Sequence, residues 1–137
     1  MIRVALVLLA LAAPAAAQPA PVRVVITVDG LSANRGQVLL GLCTKTQFLS
    51  AKCAFQAVVP VGAGRSVQAV AMVPPGQYAA QVVYDLNRNF KMDANMIGIP
   101  LEPTCFSRNA IGQQAAPRFA DAALTINRAS ALTVSVR

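Results

Sequence analysis

The chain lacks histidine and tryptophan and is poor in acidic residues. Its 137 residues include no His, no Trp and only five Asp and Glu. Without His, a Ser–His–Asp triad, a His-ligated zinc site and His acid–base catalysis are excluded. We also find no glycine-rich phosphate loop and no dinucleotide fingerprint. Paired carboxylates are the catalytic arrangement that stays conceivable.

Long apolar runs are also scarce, and the N-terminus holds the one that stands out. A positive residue precedes an apolar stretch over 4–13, and small alanines follow it. This order is typical of a secretory signal peptide, which we expect to span residues 1–17. The run is shorter than the roughly 20 residues of a membrane-spanning helix, and Pro14 interrupts it. We therefore predict one periplasmic or secreted domain over 18–137, with no transmembrane segment after signal cleavage.

Positive charge is in excess but is not clustered. Lys and Arg together number 12, and the formal net charge is +7. Such a charge favours anionic surfaces or nucleic acid. However, the basic residues form no run or helical stripe, and the aromatic residues that would stack on bases make up only 5% of the chain. We therefore expect a solvated basic surface and no nucleic-acid partner.

The chain has three cysteines, at positions 43, 53 and 105. Cys43 and Cys53 flank a short polar connection, so we expect them to form a disulfide in an oxidising compartment. Closing so short a loop stabilises a fold by roughly 2–3 kcal/mol. Cys105 is then left over. Because no His is present to act as its base, we expect a half-buried, unreactive thiol rather than a nucleophile.

Short segments rich in β-branched residues alternate with turn signals along the chain. The predicted strands are 22–28, 37–43, 54–61, 66–73, 77–84, 119–126 and 131–136. This pattern predicts an all-β fold, an antiparallel β-sandwich of about seven strands, with a small barrel as the alternative. The connection over 85–118 is too long for an ordinary hairpin, so we expect it to be functional or braced.

That long connection also gathers three of the scarce acidic residues together with four asparagines. A basic protein that concentrates its carboxylates in one loop uses their oxygens for a purpose, so we predict a binding loop over 85–109. The predicted loop residues are Asp85, Asn87, Asn89, Asp93, Asn95, Glu102 and Asn109.

The alternate spacing within this loop resembles the oxygen ladder of a calcium loop. The predicted metal ligands are Asp85, Asn87, Asn89, Lys91 through its carbonyl, and Asp93. Phe90 replaces the usual turn glycine and Met96 the bidentate Glu, so an EF-hand is rejected. Two alternatives stay open. One is a looser calcium site completed by Asn95 or Glu102, and the other is a loop whose Asp and Asn side chains cap their own turns.

Several motifs of the chain form one longer pattern. They are Gly76-x-Tyr78-Ala79, Asp85-x-Asn87-x-Asn89-x-x-x-Asp93-x-Asn95, Gly98-Ile99-Pro100-x-Glu102, Phe106-Ser107-x-Asn109-Ala110 and Pro117-x-Phe119-x-Asp121-Ala122. Together they resemble a bacterial family of exported proteins, domain-of-unknown-function family 2141, over about 22–136. The resemblance implies a secreted or periplasmic β-sandwich of immunoglobulin-like or prealbumin-like type, and it implies no activity.

The chain departs from the family pattern at three positions. Tyr84 stands in place of a His, and Phe90 and Cys105 each stand in place of a Gly. If position 90 needs the positive φ that glycine adopts freely, a Phe there is strained.

Three functions remain open. The first is an exported binding or structural module with an unknown extracellular or envelope ligand, in which the loop is the functional edge. The second is a hydrolase that uses Asp85, Asp93 or Glu102 in a cleft. The third is a cell-envelope adhesion domain, which needs an exposed apolar patch or an open sheet edge. Raised carboxylate pKa values beside a deep apolar pocket favour the hydrolase, whereas fully hydrogen-bonded carboxylates favour the module.

Overall fold

The computed structural model describes residues 12–137, which form two packed β-sheets. A 3-10 turn and a short helix α1 interrupt the second half of the chain. The strands are β1 Val22–Asp29, β2 Gln37–Cys43, β3 Phe55–Pro60, β4 Val67–Val73, β5 Gly76–Asp85, β6 Thr104–Phe106, β7 Leu124–Ile126 and β8 Ser130–Ser135. The 3-10 turn is Ser107–Asn109, and α1 is Phe119–Ala122.

The smaller sheet has the order β4-β1-β8, and the larger sheet has the order β3-β2-β5-β6. Strand β7 pairs with the first residues of β5. All these neighbours are antiparallel except β1 and β8, which are parallel. The predicted all-β sandwich is therefore confirmed, with a mixed smaller sheet.

The core lies between the two sheets. Successive residues of a strand point to opposite faces, so every second residue of β1 enters the core. Val24, Ile26 and Val28 are at most 1% exposed, and Leu42 and Val82 of the larger sheet join the same buried cluster. Each such side chain contributes about 1.5–3 kcal/mol by leaving water.

The predicted strand over 119–126 is wrong in its first half. Phe119–Ala122 forms a helical turn, and only Leu124–Ile126 is extended. The backbone N–H of Asp121 donates to the carbonyl of Arg118 at 3.0 Å, and the two side chains pair at the same distance. These local contacts outweigh the strand preference of the sequence.

The long connection contains a strand that the sequence did not predict. Thr104–Phe106 forms β6 and pairs with residues 81–83 of β5. The other predicted strands agree with the structure within a residue or so at each end.

The predicted disulfide between Cys43 and Cys53 is confirmed. It lies against the backbone of Gly41, where an added Cβ would be 2.9 Å from the Cys53 sulfur. Cys105 is unpaired, and it is buried rather than half-buried. Burial, and then the negative charge of Asp29, raise the pKa of Cys105 to about 12, so its thiol is protonated and unreactive at neutral pH.

Most of the predicted signal peptide lies outside the described residues, so cleavage after residue 17 stays a prediction. Within 12–137, no helix is both long enough and apolar enough to cross a membrane.

Candidate functional site: an apolar groove beside the Asp/Asn loop

Asp85 fixes the start of the loop from a buried position. It ends β5 and lies opposite Gln37, the first residue of β2. The Gln37 side-chain amide donates to Asp85 Oδ2 at 2.7 Å, and the Phe90 N–H donates to the same oxygen at 2.9 Å. Asp85 Oδ1 accepts from the Asn89 N–H at 3.2 Å. The first turn of the loop therefore folds around one carboxylate.

The environment of Asp85 favours its ionised form. Its side chain is fully buried, and burial alone would raise the pKa of Asp85. Hydrogen bonds from the Gln37 side chain and from the backbone amides of Phe90, Asn89 and Arg88 act against burial. They lower the pKa of Asp85 below its ordinary value, because donors stabilise the charged form.

The backbone at Phe90 has the left-handed conformation that the sequence indicated. Its φ is +64°, and the φ of Arg88 is +59°. A left-handed conformation costs a non-glycine residue about 1–2 kcal/mol. The bonds to Asp85 hold this turn in place. The Phe90 ring is 68% exposed.

Glu102 and Asp93 fasten the returning half of the loop. Glu102 is buried, and its two carboxylate oxygens accept from the backbone N–H groups of Leu86 at 3.0 Å and Asp93 at 3.4 Å. The N–H of Leu101 donates to the Asp93 carbonyl at 2.8 Å. These bonds join the outgoing and the returning halves of the loop close to its base.

Asn95 closes the tip. Its side-chain oxygen accepts from the N–H groups of Ile97 at 3.1 Å and Ile99 at 2.9 Å. Gly98 between them has a φ of +85°, which glycine adopts without strain. An Asx-type cap therefore forms the tip from local residues.

The other two asparagines bridge to Asp93. Asn87 Nδ2 lies 2.6 Å from Asp93 Oδ2, and Asn89 Nδ2 lies 2.8 and 2.9 Å from the two carboxylate oxygens. The Oδ1 atoms of Asn87 and Asn89 accept from the N–H groups of Asn89 and Lys91.

This arrangement bears on the predicted calcium ligands. A calcium ion at Asp93 would require both asparagine amides to turn their oxygens toward it and to give up those two backbone bonds. Within residues 12–137, no group of three or more His, Cys, Asp or Glu side chains converges as a metal site would. The calcium site stays a prediction.

Asn109 stands apart from the other predicted loop residues. It lies in the 3-10 turn after β6, has a φ of +50° and is exposed. The structure thus joins Asp85, Asn87, Asn89, Asp93 and Glu102 through hydrogen bonds, whereas Asn109 makes none with them.

The loop forms one side of a large groove over the outer face of the larger sheet. The groove has a volume of about 1070 Å³. Outward-facing residues of the sheet form its floor. The segment 86–103, here called the Asp/Asn loop, forms one side, and the segment 110–117 forms the opposite side. Lining residues include Leu39, Gly41, Val58, Val83 and Phe106 on the floor, Phe90, Lys91, Met92, Ile97 and Ile99 on one side, and Ile111, Gln114 and Pro117 on the other.

Two glutamine side chains on the groove floor already have hydrogen-bond partners. Gln81 donates to the Ser50 carbonyl at 2.8 Å and accepts from the Leu49 N–H at 2.9 Å. Gln56 donates to the Ala51 carbonyl. These bonds hold the disulfide-closed loop at one end of the groove. They leave a mainly apolar surface for a ligand.

Sequence reasoning located the loop but missed the groove. One signal was present in β2, whose run QVLLGLC is apolar on both faces. A strand of that composition is typically covered on both sides, whereas a strand with one solvated face alternates. A second signal was the group of large apolar side chains in an otherwise polar loop: Phe90, Met92, Met96, Ile97 and Ile99.

Comparison with known proteins gives a family and no closer relative. The family described as "Uncharacterized protein conserved in bacteria (DUF2141)" matches residues 26–134, which is most of the chain. Searches of curated proteins and of solved structures found no significant match. The resemblance in the sequence motifs is thereby confirmed, and the chain belongs to the bacterial family DUF2141.

Proposed function

We propose that this protein is an exported binding module whose ligand lies in the groove on the outer face of the larger sheet. The observation that carries the proposal is the groove itself, an apolar concavity of about 1070 Å³. Ligand sites are typically apolar clefts of roughly 300–1,000 Å³ with few polar groups. The Asp/Asn loop serves this function by holding one side of the groove in place.

The carboxylates support binding rather than hydrolysis. The oxygens of Asp85 and Glu102 accept hydrogen bonds from protein groups, and Asp93 binds two asparagine amides. Among the described residues that line the groove, none is acidic. A glycosidase-like mechanism needs an acid and a base facing the substrate.

Export is supported by the disulfide. A bridge between Cys43 and Cys53 is typical of oxidising compartments and rare in the cytosol of mesophiles. Together with the signal-like N-terminus, it favours a periplasmic or secreted protein.

An adhesion domain is the second candidate, and exposed loop residues favour it. Met96 and Leu101 are 104% and 67% exposed, and neither lines the groove. Exposed apolar side chains that gather into a patch mark protein-binding surfaces. Adhesion would therefore fail in a Met96→Ser, Leu101→Ser variant that leaves the groove intact.

A neutral, environment-sensitive dye tests the groove directly. Nile red should gain fluorescence with the native protein, and Val83→Arg should abolish the gain because the new side chain fills the floor. Val70→Arg is the matched control, since Val70 is 47% exposed on the outer face of β4 in the other sheet. Equal fluorescence from both variants would contradict the proposed site.

A further inference from the structure

We propose that the ligand is an anionic amphiphile, a molecule with an apolar chain and an acidic head group. The chain lies across the floor of the larger sheet, and the acidic head group lies at Lys91. This inference rests on the proposed binding function and names the chemical class of the ligand.

Charge identifies the head group. Lys91 is the only charged side chain among the described residues that line the groove. In the part of the chain that the structure describes, the only salt bridge joins Arg118 and Asp121, so no carboxylate is paired with Lys91. The excess of basic residues, +7 in formal charge, adds a field that draws anions to the surface.

Backbone pairing argues against a peptide as the occupant. Strands β2 and β5 form the centre of the floor, and each is paired on both sides. A peptide laid on this face would find no ladder of free N–H and C=O groups. Its own backbone would lose water without compensation, at roughly 1–3 kcal/mol for each unsatisfied group. A hydrocarbon chain carries no such groups.

The shape of the groove argues against a second copy of the chain. Two raised sides enclose the floor, so a copy would have to insert a convex element. A symmetric dimer would bring the same concave face against itself. It would also place two Lys91 side chains on one interface. Both effects disfavour self-association through this face.

Size is compatible with an extended chain. Four strands lie side by side from β3 to β6. At about 4.8 Å between neighbours, the floor is roughly 14 Å wide. Met92, Ile97 and Ile111 lie among the side chains along its margins. Methionine side chains are flexible and fit apolar ligands of varied shape.

A set of ligands that differ only in head group tests the charge argument. Dodecanoate, dodecanol and dodecylamine should compete with Nile red in that order of affinity. Lys91→Met should lower the affinity for dodecanoate roughly three- to tenfold, the usual loss for one charge-assisted contact. It should leave dodecanol unchanged. Arg65→Met is the control, because Arg65 is an exposed cation in the β3–β4 turn and does not line the groove.

The outcomes separate the ligand class from the groove. If dodecanol and dodecylamine compete as well as dodecanoate, or if Lys91→Met weakens none of them, the anionic head group is refuted while the groove stands. If Nile red binds at the groove but none of the three compounds displaces it, the amphiphile class fails and a different occupant fills the site. If Nile red itself does not bind, the groove and its ligand fail together.

Discussion

The two sides of the groove are built in opposite ways. On one side, the loop over 86–103 is tied by hydrogen bonds that the side-chain oxygens of Asp85, Asp93, Asn95 and Glu102 accept. On the other side, the segment 110–117 makes one backbone hydrogen bond, from the Ala110 N–H to the Ser107 carbonyl at 3.3 Å, and none to a side chain of the described residues. Within the described residues, no hydrogen bond involves 111–117.

This difference explains where the scarce acidic residues are used. A backbone N–H that leaves a sheet needs another acceptor, and a buried carboxylate supplies two oxygens at once. The loop over 86–103 obtains its acceptors in this way and becomes a defined surface. The segment 110–117 has no comparable support, so it is the side that can adjust to a ligand.

Amide hydrogen exchange should show the largest contrast between the two sides. The N–H groups of Asn89, Phe90 and Ile99 are bonded within the loop, whereas those of Ile111 and Ala115 are not. We expect the bonded amides to exchange more slowly by roughly a hundredfold, relative to their intrinsic rates. Equal protection measured by NMR on the two sides would refute the contrast.

Replacing Asp85 should weaken the fold more than replacing an exposed acid. Asp85→Asn puts an amide group among three donors, so some buried donors lose their acceptor. We expect a loss of about 1–3 kcal/mol in the free energy of unfolding, measured by urea denaturation. Asp121→Asn is the control, because Asp121 is 41% exposed in its pair with Arg118 and its replacement should leave the free energy of unfolding nearly unchanged. Similar losses in both variants would contradict a special role for Asp85.

The stabilisation by Asp85 should depend on pH in one direction. Its pKa is lower in the folded protein than in the unfolded chain, where it is about 3.9. The folded state therefore binds this proton less readily than the unfolded chain does. The stabilisation is complete at pH values above the unfolded pKa. It is lost as the pH falls through the folded pKa. We expect the stability difference between wild type and Asp85→Asn to be constant from pH 7 to 5 and to shrink below about pH 4.

Phe90 should separate stability from binding. In Phe90→Gly, the glycine adopts the positive φ without strain. We therefore expect the free energy of unfolding to be unchanged or to rise by up to about 1 kcal/mol. Binding in the groove should fall, because the ring lines one side. Arg88→Gly is the matched control, since Arg88 has nearly the same φ, +59°, but does not line the groove. If both variants bind Nile red equally well, Phe90 has no part in the site.

Calcium should have the smallest effect. The side chains of Asp85, Asp93 and Glu102 already have protein donors, so we expect millimolar calcium to leave the melting temperature unchanged. A concentration-dependent rise that is lost in Asp93→Ala would instead establish the predicted metal site. Magnesium serves as the control for a general effect of divalent ions.

Much of the fold could be predicted because its signals are local. Strands such as Gln37–Cys43 carry β-branched or apolar runs between turn residues, and the structure gives this one its predicted bounds. The disulfide followed from two cysteines that flank a short polar turn. The positive φ of Phe90 was indicated by the family pattern, in which a glycine holds that place.

The missed features depend on contacts between distant residues. Strand β6 has only three residues, and its partner in β5 defines it more than its own sequence does. The turn at Phe119–Ala122 is held partly by Ser107, whose hydroxyl donates to the Ala122 carbonyl at 2.5 Å. The groove exists because two loops rise on either side of one sheet face. A periodic pattern in a single segment does not encode that arrangement.

Chemical-shift mapping with dodecanoate tests the central claim most directly. We expect saturable shifts in the methyl groups of Leu39, Val58 and Val83 on the outer face of the larger sheet. The methyl groups of Val70 and Met72, which are exposed on β4, should not move. Shifts confined to the β4 face, or spread equally over both faces, would contradict a binding groove bounded by the Asp/Asn loop.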